Sequence, residues 1–164
     1  MAKEKEPTKT NAMRLLDGAG IAYQSHSYDS SDGHIDGEAV AKKIGRDFYQ
    51  VYKTLVSQGP GPGQYFVFVI PVDQELDLKK AAKAAGVKSI QLAPVKDLTK
   101  LTGYVRGGCS PIGMRKQYKT FYHMSCESLD TMAVSAGKIG AQVELAPAEL
   151  IRLTRGVTAD ITAE

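Results

Sequence analysis

Apolar side chains along the 164-residue chain recur at two spacings, roughly every third or fourth position in some stretches and every second in others. After Thr10, a residue suited to capping, Ala12, Leu15, Leu16 and Ala19 keep helical spacing until Gly20 stops them. Ile21–Tyr28 reads as a strand, Ser30–Gly37 as turn-rich, and Glu38–Ile44 as a short helix ended by Gly45. Val51–Ser57 and Tyr65–Val72 predict two strands of a hairpin, joined through Gly59-Pro-Gly-Pro-Gly63. Leu78–Ala85 predicts a helix closed by Gly86, Ser89–Leu92 a short strand, and Val95–Leu101 a helix closed by Gly103. Tyr118–Met124, Thr131–Ser135 and Gln142–Leu145 read as strands, and Pro147–Thr154 as a helix begun by its proline. Met1–Pro7 alternates Lys and Glu with almost nothing to bury, so residues 1–7 are expected to be a loose tail on one domain over 8–164. Hairpins mixed with crossovers predict an α/β domain with a curled mixed sheet and helices outside.

Composition narrows the class. With 43% hydrophobic and 24% charged residues, the chain is expected to bury a single core without disulfides or metal. Cys109 and Cys126 lack CxxC spacing, which points to a reducing compartment and away from structural zinc. The longest apolar stretch, Tyr65–Val72, is far short of a membrane span, and the charged start lacks the apolar segment of a signal peptide, so a cytoplasmic protein is expected. Net charge is only +3, yet Lys79–Lys119 holds ten Lys and Arg against one acid, Asp97. Such a local excess attracts a polyanion, which makes nucleic acid a candidate partner beside the plainer reading of a solvated lysine face.

Three features carry candidate chemistry. In Val51-Tyr-Lys-Thr-Leu-Val56, strand alternation puts Lys53 on the face of Val51 and Leu55. An ammonium there either opens into a cleft or marks an edge strand that discourages pairing with other chains. In Gly103-Tyr-Val-Arg-Gly-Gly-Cys-Ser-Pro-Ile-Gly113, four glycines let main-chain N–H groups approach an oxyanion or phosphate. It is not a Walker A loop, because Met114 and Arg115 stand where Lys and Ser or Thr are required. The third, Ser135-Ala-Gly-Lys-Ile-Gly140, reads as a hairpin turn when taken alone. His26, His34 and His123 show no metal-ligand spacing, and no GxSxG elbow is present.

These motifs, with Leu76-Asp-Leu-Lys-Lys-Ala-Ala-Lys83, occur in an order and at spacings that resemble the YbaK/EbsC family of aminoacyl-tRNA trans-editing deacylases, over about Asn11 to Asp160. The resemblance implies a single YbaK-like α/β domain whose mixed, mostly antiparallel sheet curls into a barrel-like core. It implies hydrolysis of the ester joining a wrong amino acid to tRNA, Cys-tRNA(Pro) in the namesake branch, with tRNA and a prolyl-tRNA synthetase as partners and no cofactor. By position, Lys53 matches the family's catalytic-site lysine. Tyr28, Thr54, Gly107, Gly108, Ser110, Pro111, Gly113, Ser135 and Gly137 match its substrate pocket. The chain departs from the pattern at Ala136, Ile139 and Gln142, where the family commonly has glycine, a basic residue and an aspartate, and around Ile35-Asp36, where the namesake branch has an aromatic.

The expected reaction places the ester carbonyl over the glycine loop, with loop N–H groups and the Ser110 hydroxyl on the oxyanion and Lys53 on the substrate. Lys79, Lys80 and Lys83, on one helix, are expected to hold the acceptor stem through its phosphates. Two other classes fit the same residues: a non-catalytic module binding aminoacyl-tRNA ends or a synthetase, and a nucleotide- or phosphate-binding protein using Gly103–Gly113.

Overall fold

Helix ends are set by short-range signals. Thr10 accepts the Met13 N–H at 3.2 Å to start α1 (Asn11–Gly18), and Asp36 accepts from Ala39 at 3.3 Å to start α2 (Gly37–Ile44). Asp77 takes the N–H groups of both Lys79 and Lys80 at 3.0 Å at the head of α3 (Leu78–Ala85). Gly45, Gly86 and Gly103, all in the left-handed region, close α2, α3 and α4 (Val95–Thr102). Proline opens α5 (Pro147–Thr154). The computed structural model describes residues 9–163, so the tail expected over residues 1–7 lies outside the described residues.

Among the described residues eight strands form two sheets. β1 (Gln24–Ser27), β7 (Ala141–Leu145) and β6 (Met132–Ser135) make an antiparallel sheet in that order. β4 (Gln91–Leu92), β2 (Tyr52–Gln58), β3 (Tyr65–Pro71), β5 (Lys119–His123) and β8 (Val157–Ala159) make a mixed one. Its β2–β3 and β2–β4 pairs are antiparallel, and β3–β5 and β5–β8 are parallel. The predicted α/β class and mixed, mostly antiparallel pairing are present, and no closed barrel is found among the described residues. Among the described residues two open sheets meet at one parallel bridge, Val51 to Ala133. β8 escaped the sequence reading because it is three residues long and follows directly on α5 and Gly156.

Alternation along β3 divides the core. Val67 and Val69 face the main cluster between the sheets, with Tyr52, Val56, Tyr122, Met132, Val134, Val143 and Leu150. Phe68 and Ile70 face the opposite side, where Ala81 and Ala82 of α3 cover them. A third patch, Ala41, Val51, Val72 and Ala133, seats α2 against the junction of the two sheets. A strand buried on both faces carries an unbroken apolar run, which is why Tyr65–Pro71 lacks polar alternation.

Two consequences position the site. Val51, just before β2, belongs to the α2 patch and Leu55 on β2 packs against the α3 patch, so Lys53 emerges in the gap between two helix-covered areas. Beside it, β2 loses its second neighbour: Ala133 bridges Val51, while β4 pairs Ser57 and Gln58 and the Ala93 N–H that follows it reaches the Val56 carbonyl, leaving Tyr52–Leu55 open on that side. β2 is therefore an interior strand with a local opening, and the edge-strand reading of Lys53 does not apply.

Candidate functional site

The opening beside β2 is the mouth of a cavity of about 760 Å³. Tyr52, Lys53, Thr54 and Leu55 line it from β2, Gly33, Ile35 and Asp36 from the turn before α2 and Glu38 from its first turn, Arg106, Gly107 and Cys109 from the glycine loop, and Ser135 and Gln142 from the smaller sheet. Of the residues expected at the site, Lys53, Thr54, Gly107 and Ser135 come together here. Lys53 Nζ donates only a long bond, 3.4 Å, to the Val72 carbonyl, and it has no ion-pair partner among the described residues. A half-buried ammonium with so little compensation is available to a ligand.

Two acceptors at the cavity wall are unused. Thr54 Oγ1 and Gln142 Oε1 are buried without a hydrogen-bond partner among the described residues. Buried polar atoms are nearly always paired, so two orphans in one cavity mark a place where a ligand or water completes the bonding. Tyr28 Oη is a third buried orphan. Tyr28 is not part of the cavity lining; its backbone N–H donates to Gly140 at 2.9 Å, at the end of the Ser135–Gly140 turn.

The glycines of the loop divide into two groups. Gly107 lines the cavity at φ +88°, and a methyl group there would stand 2.9 Å from Ile35 Cδ1. Gly108 and Gly137 lie outside the lining and serve close packing. A Cβ on Gly108 would meet the Lys138–Ile139 backbone at 3.0 Å, and one on Gly137 would meet the Tyr104 ring at 3.0 Å. Tyr104 also bonds the Ile112 carbonyl, and a methyl on Gly113 would reach its hydroxyl at 3.1 Å. The two glycine motifs thus interlock, Tyr104 wedged between them. Gly113 and Pro111 lie beyond the lining.

Ser110 does not reach the cavity. It is fully buried, and its Oγ accepts the Ile112 N–H at 3.2 Å, so its hydroxyl holds the loop's own backbone. The Gly108 N–H is also taken, by Val105 at 3.0 Å. The three loop residues that line the cavity, Arg106, Gly107 and Cys109, all have backbone N–H groups without an acceptor among the described residues. Ser135 Oγ accepts the Gly137 N–H at 3.1 Å.

Electrostatically, the cavity holds cations from β2 and the loop, Lys53 and Arg106, and carboxylates from the head of α2, its cap Asp36 and Glu38. Burial pushes the Cys109 thiol up to about 12, only partly offset by a hydrogen bond with Thr102, so it is not a thiolate at neutral pH. No histidine lines the cavity. Among the described residues no three His, Cys, Asp or Glu side chains converge on a metal-sized site, and no helix is long and apolar enough to cross a membrane.

The α2 wall is fastened from behind. Glu144 Oε1 accepts from His26 Nε2 at 2.8 Å and Arg46 Nε at 2.9 Å, and Oε2 accepts from Thr131. Arg46 follows α2 directly, so this buried carboxylate ties the helix to β7. Burial pushes its pKa up, but the bonds from Thr131, His26 and Arg46 outweigh it and hold the carboxyl below its usual range.

Of the three lysines expected to meet nucleic acid, Lys79 and Lys83 are exposed on α3. Lys80 is engaged within the fold, 3.2 Å from Asp160 and 3.0 Å from the Thr162 carbonyl. Among the polar cavity residues, Arg106, Glu38 and, as an acceptor, Gln142 go beyond those expected from the sequence. Arg106 lies inside the glycine motif, where its charge was the available signal.

The model of the aminoacyl-tRNA editing domain family matches residues 35–153. The chain is 45% identical over 164 residues to a proposed Cys-tRNA(Pro)/Cys-tRNA(Cys) deacylase, EbsC, of Enterococcus faecalis, covering 100% of this chain and 99% of that protein. Two solved structures share its fold. One is a hypothetical protein, 23% identical with a TM-score of 0.82, over 92% of this chain and 97% of that one. The other is a proposed trans-editing enzyme for prolyl tRNA synthetase, 21% identical with a TM-score of 0.79, over 96% of this chain and all 100% of the other.

Proposed function

Because the chain belongs to the aminoacyl-tRNA editing domain family, we propose that it is an aminoacyl-tRNA deacylase that removes wrongly attached amino acids, cysteine on tRNA(Pro) foremost. The observation that carries this reading is the convergence of Lys53 and Gly107 on one cavity that also holds the unpartnered acceptors Thr54 Oγ1 and Gln142 Oε1.

In the proposed reaction the ester carbonyl lies against the loop. The Gly107 and Cys109 N–H groups and Lys53 stabilise the charge that develops on its oxygen, a contribution typically worth about 10²–10³ in rate per donor. Thr54 Oγ1 and Gln142 Oε1 accept from the substrate's α-ammonium. Burial holds the Cys109 thiol neutral, and in this reading the nucleophile comes with the substrate. The cysteinyl Sγ attacks its own carbonyl carbon, the C–S bond forms as the C–O bond to the ribose breaks, and the thiol proton ends on the released ribose hydroxyl. Water then opens the thiolactone. Ser110 and Gly113 shape the loop from behind, and Gly137 sets the contact with Tyr104 that holds it.

A small pocket separates similar side chains poorly, because one methylene is worth roughly 1–3 kcal/mol, so a synthetase that cannot reject cysteine needs a separate editing enzyme. A prolyl-tRNA synthetase that hands over its mischarged product, and a cytoplasmic location, belong to the same proposal. The test is a panel of labelled Cys-, Ala-, Ser- and Pro-tRNA(Pro) incubated with the protein. Loss of the cysteinyl ester well ahead of the prolyl ester is expected, and four esters decaying at their spontaneous rates would refute the hydrolase.

A further inference from the structure

Arg106, a charged residue of the cavity lining, has no part in the chemistry above. The Gly108 N–H to Val105 carbonyl bond, 3.0 Å, closes a turn over Val105–Gly108 in which Arg106 stands second and Gly107, at φ +88°, third. Positive φ at the third place is the mark of a tight turn that glycine alone fills without strain. Packing pins this corner on two sides, Ile35 against Gly107 and the Lys138–Ile139 backbone against Gly108. The corner therefore presents Arg106 from a fixed backbone. Its side chain is exposed and lines the cavity, with no hydrogen-bond or ion-pair partner among the described residues.

A guanidinium left free on a rigid corner suits a planar anion bound through two N–H groups, a carboxylate or a phosphate. The substrate decides between them. In an aminoacyl ester the amino acid's carboxylate is consumed by the ester bond, so the anions that enter with this end of the molecule are its phosphates. The nearest phosphate lies on the 5′ side of the same ribose that carries the ester. The cavity's carboxylates do not compete: Asp36 caps α2 through the Ala39 N–H, and Glu38, exposed, forms no ion pair with Arg106.

We propose that Arg106 forms a phosphate subsite at the cavity mouth that holds the 5′-phosphate of the terminal adenosine while Lys53 engages the ester. This inference rests on the deacylase reading for its substrate. The subsite gives the enzyme a means of preferring a nucleic-acid end over a free amino-acid ester, and it sets the distance from phosphate to carbonyl. It also moves the first nucleic-acid contact from α3, where Lys80 is already engaged, to the loop itself.

The experiment uses two inert analogues, adenosine carrying cysteine through a 3′ amide with and without a 5′-phosphate. Each is titrated by calorimetry at low salt against the wild-type protein, Arg106→Met, Arg106→Lys and Arg115→Met. The phosphate tightens wild-type binding by about tenfold, the order expected of a charge-assisted hydrogen bond at an exposed site. Arg106→Met removes that gain, Arg106→Lys keeps part of it, and Arg115→Met, altering a side chain that packs over Gly103, leaves it intact. An undiminished gain in Arg106→Met, or no gain in the wild type, overturns the subsite. Hydrolysis of Cys-tRNA(Pro) is followed in parallel. Hydrolysis without a phosphate gain sinks the subsite alone, and an Arg106-dependent gain without hydrolysis upholds the subsite and sinks the hydrolase.

Discussion

Replacing Glu144 by Gln removes the charge from the joint that fastens α2 to β7 while keeping the side chain's size. The carboxylate is 8% exposed and receives Thr131, His26 and Arg46, while His26 and Arg46 are 11% and 29% exposed. Breaking a fully buried ion pair costs about 3–5 kcal/mol, and the partial exposure of Arg46 brings the expected loss to about 2–3 kcal/mol. At about 2–4 °C per kcal/mol for a chain of this size, the melting temperature falls by roughly 4–12 °C. Acid adds an independent sign test. The native carboxyl's pKa lies below its unfolded value, so its contribution is fully present above the unfolded value and is lost as pH falls through the native one. Wild type should lose stability faster than Glu144→Gln below about pH 4.5, the two curves converging in acid. Because α2 carries one wall of the cavity, the variant should also show a raised KM. Urea denaturation from pH 3 to 7 reads the first effect and deacylation kinetics the second. Equal stability at pH 7, or parallel acid profiles, would refute the role given to this carboxylate.

Three further outcomes follow from the same geometry. Gly107→Ala should cost about 1–2 kcal/mol from its left-handed backbone, more if Ile35 cannot yield to a methyl 2.9 Å away, and deacylation should fall with it; unchanged stability would contradict the fixed corner. Thr54→Val removes a buried hydroxyl that has no partner in the fold, so chemical denaturation should show stability unchanged or raised by about 1 kcal/mol while KM rises; a marked loss of stability would mean that the fold itself uses the hydroxyl. Cys109→Ala should retain activity within a few-fold and the wild-type thiol should react slowly with alkylating agents at pH 7, whereas complete inactivation would restore the thiol as a nucleophile.

Local signals made most elements legible. Asp77 and Gly86 bracket α3, and Gly59–Gly63 announces the β2–β3 hairpin, because capping and turn chemistry act within a few residues. Lys53 was legible for a similar reason, since strand alternation placed it between Val51 and Leu55. What surrounds it was not. The open side of β2 arises because β6 bridges at Val51 and β4 at Ser57, two long-range pairings with no trace in the intervening residues. The glycine loop illustrates the same limit from the other side. Gly107 and Gly108 are adjacent and chemically identical in sequence, yet one lines the cavity and the other is wedged against Lys138 and Ile139. Ser110 sits in the same glycine motif, yet it is fully buried outside the cavity lining and its Oγ accepts the Ile112 N–H, a placement that no local pattern marks.

The account stands most directly on Lys53, the cation in the gap between the α2 and α3 patches. Single-turnover deacylation of Cys-tRNA(Pro) by Lys53→Ala, with folding checked by circular dichroism and melting, measures that claim. A loss of at least about 10²-fold in rate with the fold intact is predicted, in line with removal of one charge-stabilising group. A folded variant that turns over at close to the wild-type rate would contradict it.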